Sequence, residues 1–530
     1  MTVSTPLLGV IVLIYLMIIF YLGLLGYKKT KQIDDYMVAG RTIHPYILAL
    51  SYGATFISTS AIVGFGGAAG ALGMGLLWLA VMNIIVGIFI AFVIFGKRTR
   101  SIGARLNAVT FPELLGKRFQ SRFIQGFSGA LIGVFMPLYA GIVLIGGARF
   151  LETTLGVNYD IAVLILTIIV AAYVITGGLI AVMYTDALQG AFMFIGMIIL
   201  LALTYVKLGG VTAAHEALTG MSNLVPESLA AGGHLGWTAM PAFGTPIWWT
   251  LVSTLVLGVG IGVLAQPQLA VRFMTVENDK ALNRAVFVGG PFILMMTGVA
   301  FTVGALSNVY FQKTQGLIAV AAAKGNTDLI MPEYINGAMP ELFVVLLMLT
   351  LLAAAMSTLS SQFHTMGTAI GHDLYREFIK KGEVGNTVNI TRLGIAVTIL
   401  LSVILAYILP ISIIARATAI FFGLCAAAFL PMYIGALFWK RMTKEGAIAS
   451  MLVGTVSSLF WLTFIHAKEA VPLGISKAIF GMDTLLTGTW TVVDPILVAT
   501  PIAMIVAVVV SFATKPPSEE HLNLCYRKSR

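Results

Sequence analysis

Ala354-Ala355-Met356-Ser357-Thr358-Leu359-Ser360-Ser361 puts four hydroxyls into the middle of a long apolar segment, 339–370. Hydrocarbon cannot solvate a hydroxyl, so polar groups at that depth face a partner, a cavity or an ion. Positions 354, 357, 358 and 361 follow the i, i+3, i+4, i+7 pattern and share one helical face. That face offers oxygen atoms without a formal charge, a setting suited to a weakly held monovalent cation. The arrangement points to a cation-coupled membrane protein.

Composition agrees outside that stretch. The chain has 530 residues, is 58% hydrophobic and only 10% charged, against about 25% charged in soluble domains. Apolar runs recur along the whole length, so the fold class is an all-α polytopic membrane protein forming one domain in a cell (inner) membrane. The net charge of +10 does not mark a nucleic-acid partner, because the basic residues fall in alternate loops. The two cysteines, Cys425 and Cys525, make no disulfide framework or metal spacing. The first apolar run lacks a basic start and a small-residue cleavage site, and reads as a retained helix rather than a signal peptide.

Hydropathy predicts thirteen spans: 5–27, 43–68, 72–96, 123–150, 158–177, 184–207, 246–271, 285–308, 339–370, 390–409, 412–438, 445–467 and 492–513. Predicted inner loops carry Lys97, Arg98, Arg100 and Arg105; Arg272, Lys280 and Arg284; Arg376, Lys380 and Lys381; and Lys440, Arg441 and Lys444. The long predicted outer loops, 208–245 and 309–338, are poor in such residues. The N-terminus is therefore expected outside and the tail 514–530, with Lys515, Arg527, Lys528 and Arg530, inside.

Two predicted spans look breakable. The second contains Ser51-Tyr52-Gly53-Ala54-Thr55-Phe56-Ile57-Ser58-Thr59-Ser60, and the seventh contains Gly258-Val259-Gly260-Ile261-Gly262 followed by Gln266-Pro267. Glycine and proline weaken the helix ladder. The two spans lie five apart, as in an inverted repeat of five plus five helices, 43–207 and 246–438. One helix then precedes the repeat and two, within 445–513, follow it. Close helix packing is the competing account of the glycines.

No phosphate-binding loop, metalloprotease motif or nucleophile elbow appears, so an enzyme is not expected and an ion gradient must supply any energy for uphill movement. Asp186 lies within Gly177-Gly178-Leu179-Ile180-Ala181-Val182-Met183-Tyr184-Thr185-Asp186-Ala187-Leu188-Gln189-Gly190. A carboxylate there needs a cation, a proton or strong hydrogen bonds, unless it caps a helix at the inner surface. His364 shares the hydroxyl face and is either a proton acceptor or a neutral, hydrogen-bonded histidine. Arg416, one turn inside the outer end of its span, either draws an organic anion, snorkels or makes a structural pair. Tyr139 lies mid-helix, where a buried phenol needs a partner.

Together these stretches, with Asp34-Asp35-Tyr36, Gly40-Arg41, Gly146-Gly147-Ala148-Arg149, Arg272-Phe273-Met274 and Arg441-Met442-Thr443, resemble the sodium/solute symporter family, most nearly its sodium/proline branch and monocarboxylate-type relatives. The resemblance implies a LeuT-type inverted-repeat fold. It implies Na+ held by Ala54, Ile57, Ala354, Ser357 and Thr358, and a second Na+ near Asp186, Ser357, Ser360 and Ser361. It places the solute at Tyr139, Phe56 and Ser58, and at Val259, Gly260, Val263, Gln266 and Pro267 of the seventh span. Val259 and Val263 stand where the proline branch has aromatic residues, and Phe56 stands where that branch has an acidic one. The expected function is sodium-coupled symport of a short monocarboxylate by one chain in a lipid bilayer. The alternatives are proline or another small neutral amino acid as solute, proton coupling through Asp186 or His364, a channel, and a membrane sensor or signalling subunit.

Overall fold

The structure, a computed structural model, describes residues 5–381, 387–410 and 413–526. The basic tail residues Arg527, Lys528 and Arg530 lie outside the described residues. Within these residues the secondary structure is helical, with no strand. The long helices are α1 (Thr5–Lys29), α2 (Pro45–Phe56), α3 (Ser60–Leu72), α4 (Met74–Arg105), α5 (Arg122–Leu155), α6 (Tyr159–Leu208), α7 (Pro246–Ala265), α8 (Asp279–Gln315), α9 (Glu341–Ile379), α10 (Thr387–Ile408), α11 (Ile414–Phe438), α12 (Lys444–Phe464) and α13 (Ile496–Ala513). Eleven stretches are long and apolar enough to cross a membrane, or twelve if the bent pair α2–α3 counts as one span.

Local chemistry sets where these helices start. Side chains of Ser121, Asn158, Asn278 and Thr443 accept backbone N–H groups in the first turns of α5, α6, α8 and α12, satisfying donors that the ladder leaves open. Asp494 does the same ahead of α13, accepting from the Ile496 N–H at 2.9 Å.

Two predicted spans, 158–177 and 184–207, are the two ends of α6. Its 50 residues would reach about 75 Å if straight, more than twice the roughly 30 Å hydrocarbon core. The helix is interrupted at Gly178, whose φ of 60° and ψ of −158° lie outside any helical region. The predicted linker 178–183 is otherwise helical, so a single glycine makes the change of direction.

α5, α9 and α11 are buried along most of their length, and α1, α10 and α13 form the periphery. Leu13 and Phe20 on α1, Leu393 and Leu400 on α10, and Val509 and Phe512 on α13 are exposed. Exposed apolar rows on such helices match a hydrocarbon surround. The predicted outer loops hold short helices, Val211–Thr219, Glu227–Ala231 and Ile330–Ala338.

Candidate cation and solute site

α2 ends at Phe56, the chain resumes as helix at Ser60, and the two pieces meet at 53°. Ile57 has φ −93° and ψ 93°, so the ladder stops there and carbonyls near the end of α2 lose their regular acceptor role. Ser58 turns its hydroxyl to accept the Ser60 N–H at 3.0 Å.

The hydroxyl face of α9 meets this break. Ser357 donates to the Ala54 carbonyl at 2.9 Å and approaches that of Ala354 at 3.3 Å. Thr358 donates to the Thr55 carbonyl at 3.1 Å and the Ala54 carbonyl at 3.4 Å. Ala54, Ile57, Ala354, Ser357 and Thr358 are all buried. The Ala54, Thr55 and Ala354 carbonyls and the Ser357 and Thr358 hydroxyls, from segments some 300 positions apart, thus form one cluster of neutral oxygens.

Beside it lies a charged cluster. Asp186 is inside α6, not at a cap, and is fully buried. Its Oδ1 accepts from Ser360 at 2.9 Å. Its Oδ2 accepts from Arg272 at 2.8 Å, Ser361 at 3.1 Å, and Ser51 and Thr55 at 3.2 Å. Arg272 also donates to Thr55 at 2.7 Å, to Ser361 at 2.5 Å and to the Gln268 carbonyl at 2.5 Å. Charge alternates with hydroxyls here, so every oxygen of the carboxylate is satisfied without water.

Arg272 corrects the sequence reading, which put it in an inner loop with Lys280 and Arg284. It is completely buried. The signal was its context: Leu269-Ala270-Val271 precede it and Phe273-Met274 follow, whereas loop cations sit among polar neighbours. Ser51 and Thr55 were also missed as partners of the carboxylate, although both lie in the quoted break sequence.

A small cavity adjoins the break. Phe56, Ser58, Tyr139 and Val259, four of the residues placed at the solute, line it together with Ile57, placed at the ion, and with Asn83, Thr297 and Thr418, which the sequence did not single out. Tyr139 reaches Ser58 at 3.5 Å and stacks on Phe421 with centroids 5.4 Å apart. Ser60 Oγ and Asn83 Oδ1 have no hydrogen-bond partner among the described residues. The free volume is about 20 Å³, which holds roughly one water and no organic solute. The cavity is collapsed in this conformation.

Gly260, Val263, Gln266 and Pro267 do not line it, contrary to expectation. Gly260 faces Met82 of α4, Val263 lies near Gly87, and Pro267 opens a short helix, Pro267–Ala270. Gln266 donates to the Gly262 carbonyl at 3.3 Å and accepts from Gln268 at 3.2 Å. These residues shape the break in the seventh predicted span rather than the cavity wall. His364 contacts the Tyr36 carbonyl through Nε2 at 2.9 Å. Arg416 pairs with Glu469 at 3.0 Å.

The sodium:solute symporter family model matches residues 36–454. The chain belongs to the sodium:solute symporter family. It is 28% identical over 515 residues to the osmoregulated proline transporter OpuE of Bacillus subtilis, covering 96% of each chain. It is 29% identical over 496 residues to the sodium/pantothenate symporter of Haemophilus influenzae, covering 91% of this chain and 96% of the relative. Among solved structures, a Na+-coupled sialic acid symporter in a substrate-bound outward-open state matches with a TM-score of 0.75 at 17% identity, over 97% of this chain and 99% of that one. Mhp1, a nucleobase-cation-symport-1 family transporter, matches at 0.52 and 12% identity, over 93% of this chain and 99% of that one. The fold is LeuT-type. This symporter is a multi-span protein of the cell membrane, and Na+ is its coupling ion.

Proposed function

We propose that this symporter moves a small carboxylate-bearing solute, a short monocarboxylate such as lactate, pyruvate, acetate or propionate, together with sodium by alternating access. The observation that carries it is the seating of Ser357 and Thr358 on the carbonyls of Ala54 and Thr55 at the helix break. Hard cations take oxygen ligands, and neighbouring oxygens on a cation with bonds of about 2.4 Å stand about 3.4 Å apart. The 2.9–3.4 Å separations in this cluster need little expansion to accept an ion. Ala54, Ile57, Ala354, Ser357 and Thr358 are the proposed ligands.

Ile57 belongs to this set and also lines the collapsed cavity. An ion in the cluster therefore borders the solute space. The cavity lining holds no Lys, Arg, Asp or Glu, so the ion itself supplies the countercharge for a carboxylate. Sodium draws α9 onto the break and solute completes the closed state; each ligand raises the affinity of the other. Asp186, Ser360 and Ser361 are not proposed as a second ion site in this conformation. Arg272 already occupies Asp186 Oδ2 and Ser361, and a cation there would face a guanidinium.

The membrane path proposed has thirteen crossings, counting α2–α3 once and α6 as two spans at Gly178, with the N-terminus outside and repeats at 43–207 and 246–438. Transport by one chain is its whole activity. Proline is the second reading, favoured by the likeness to proline transporters and by Tyr139 beside Ser58. Purified protein in liposomes, given labelled monocarboxylates or proline under an inward Na+ gradient, decides the solute. Uptake should require Na+ and fail with choline. Accumulation driven by a pH step without Na+, or current without solute, would overturn the mechanism.

A further inference from the structure

A second, larger cavity of about 340 Å³ stands beyond the small one on the same three helices. Phe65, Val259 and Thr418 line the small cavity, and Ala68, Thr254 and Ala415 line the large one. Those steps of three to five residues along α3, α7 and α11 amount to about 4–8 Å. The two spaces are stacked, and the larger lies toward the predicted outer side.

Its chemistry differs from that of the space below. Arg416, His466 and Lys468 line it. Arg416 Nε lies 3.0 Å from Glu469 as an ion pair, with neither atom of that pair in a hydrogen bond, and Glu469 is also in hydrogen-bond contact with His466 Nδ1. The two terminal amines of Arg416 make no hydrogen bond among the described residues. A guanidinium presents these donors in a fork that matches a carboxylate. Two further carboxylates are near. Asp328 accepts the Ile413 N–H at 3.1 Å and Asp494 the Ile496 N–H at 2.9 Å, and burial raises the outer-loop Asp328 to about 6. Lys468 is exposed, and desolvation first, then the Arg416 charge, lowers its pKa. An anion held in the cavity would offset the two positive charges that line it.

We propose that this cavity is an outer anion subsite, in which the free edge of Arg416, with Lys468 beside it, holds the carboxylate of an incoming solute before it enters the cavity at Tyr139. Glu469 orients Arg416 and competes for it. The solute's identity as a carboxylate rests on the reading above. The subsite itself does not require sodium, because its charge is supplied by side chains rather than by the ion cluster.

That independence gives the test. Purified protein in choline chloride, free of sodium, is melted across a pyruvate series. Pyruvate should raise the melting temperature of the unaltered protein. Arg416→Gln should need at least tenfold more pyruvate for the same rise, and Arg416→Lys less than that. Glu469→Gln should need no more pyruvate than the unaltered protein, since a competitor is gone. All variants should keep equal stabilisation by NaCl, which checks the fold and the ion cluster. No stabilisation of the unaltered protein, or equal curves for Arg416→Gln, or equal weakening by Arg416→Gln and Glu469→Gln, sinks the subsite. Sodium-driven pyruvate uptake is scored separately: uptake without the choline effect retains the transport reading alone, and the choline effect without uptake retains the subsite alone.

Discussion

Thr358 spans two carbonyls, those of Ala54 and Thr55, and so sits at the point where α9 grips the helix break. Removing its hydroxyl takes away one neutral hydrogen bond, worth about 1 kcal/mol of stability. It also deletes a proposed ion ligand. Thr358→Ala should raise the Na+ concentration for half-maximal uptake about tenfold, a loss of roughly 1.4 kcal/mol, with a melting shift of only a few degrees. Thr358→Ser should restore the sodium curve. An alanine variant with normal sodium dependence removes Thr358 from the ligand set. Arg272 obeys a different rule. Arg272→Gln leaves Asp186 buried and unpaired, which costs about 3–5 kcal/mol. The double variant Arg272→Gln/Asp186→Asn should be more stable than that single variant, because no lone charge remains. Melting temperatures of the two single variants and the double measure this coupling. Serine spacing on one face was legible in the sequence, since it depends only on helical period. The Asp186–Arg272 pair was not, because 86 residues separate the partners and nothing local links them.

At the scale of elements, two interruptions bend the chain by different means. The break between α2 and α3 is open, and hydroxyls from α9 substitute for part of its ladder. The interruption in α6 is closed around one residue, Gly178, at φ 60° and ψ −158°. A Cβ there would lie 2.6 Å from the Tyr36 ring. This backbone region is essentially glycine's alone, and another residue costs about 1–3 kcal/mol before any clash. Gly178→Ala should therefore lower the melting temperature more than Thr358→Ala does, while the surviving folded protein keeps its sodium dependence. The short helix Phe111–Arg118 supplies a pH signature outside the spans. Burial pushes the Glu113 carboxyl up, but His372, Lys117 and the Val109 N–H outweigh it and hold it down at about 2. A depressed carboxyl contributes stability that is complete above its unfolded pKa, near 4.5, and disappears as pH falls toward 2. Glu113→Gln should flatten the melting profile between pH 5 and pH 3 relative to the unaltered protein.

For the molecule as a whole, coupling is the testable property. The proposed ion ligands and the cavity lining share Ile57 and the same break, so the proposed mechanism requires that sodium and solute favour one closed arrangement. A ligand that binds only the folded protein stabilises it by about 2.7 kcal/mol at a hundredfold excess over Kd. NaCl should raise the melting temperature where KCl and choline chloride do not. Sodium should lower the Kd for the transported solute by the same factor by which that solute lowers the Kd for sodium. Unequal factors in equilibrium binding would contradict a shared closed state.

Sequence alone determined that the chain spans a membrane many times, where most of the spans lie, and that one face of α9 bears hydroxyls. Those features follow from the length of hydrocarbon to be crossed and the 3.6-residue turn, which act within a few dozen neighbouring residues. Tertiary structure alone decided that Arg272 leaves the loop set to neutralise Asp186, that the cavity draws Asn83, Thr297 and Thr418 from three helices, and that Gln266 and Pro267 are not among its lining residues. Each of these depends on which helices pack together, and in a bilayer that choice is made by side-chain fit and hydrogen bonding between distant segments, quantities that local hydropathy does not encode.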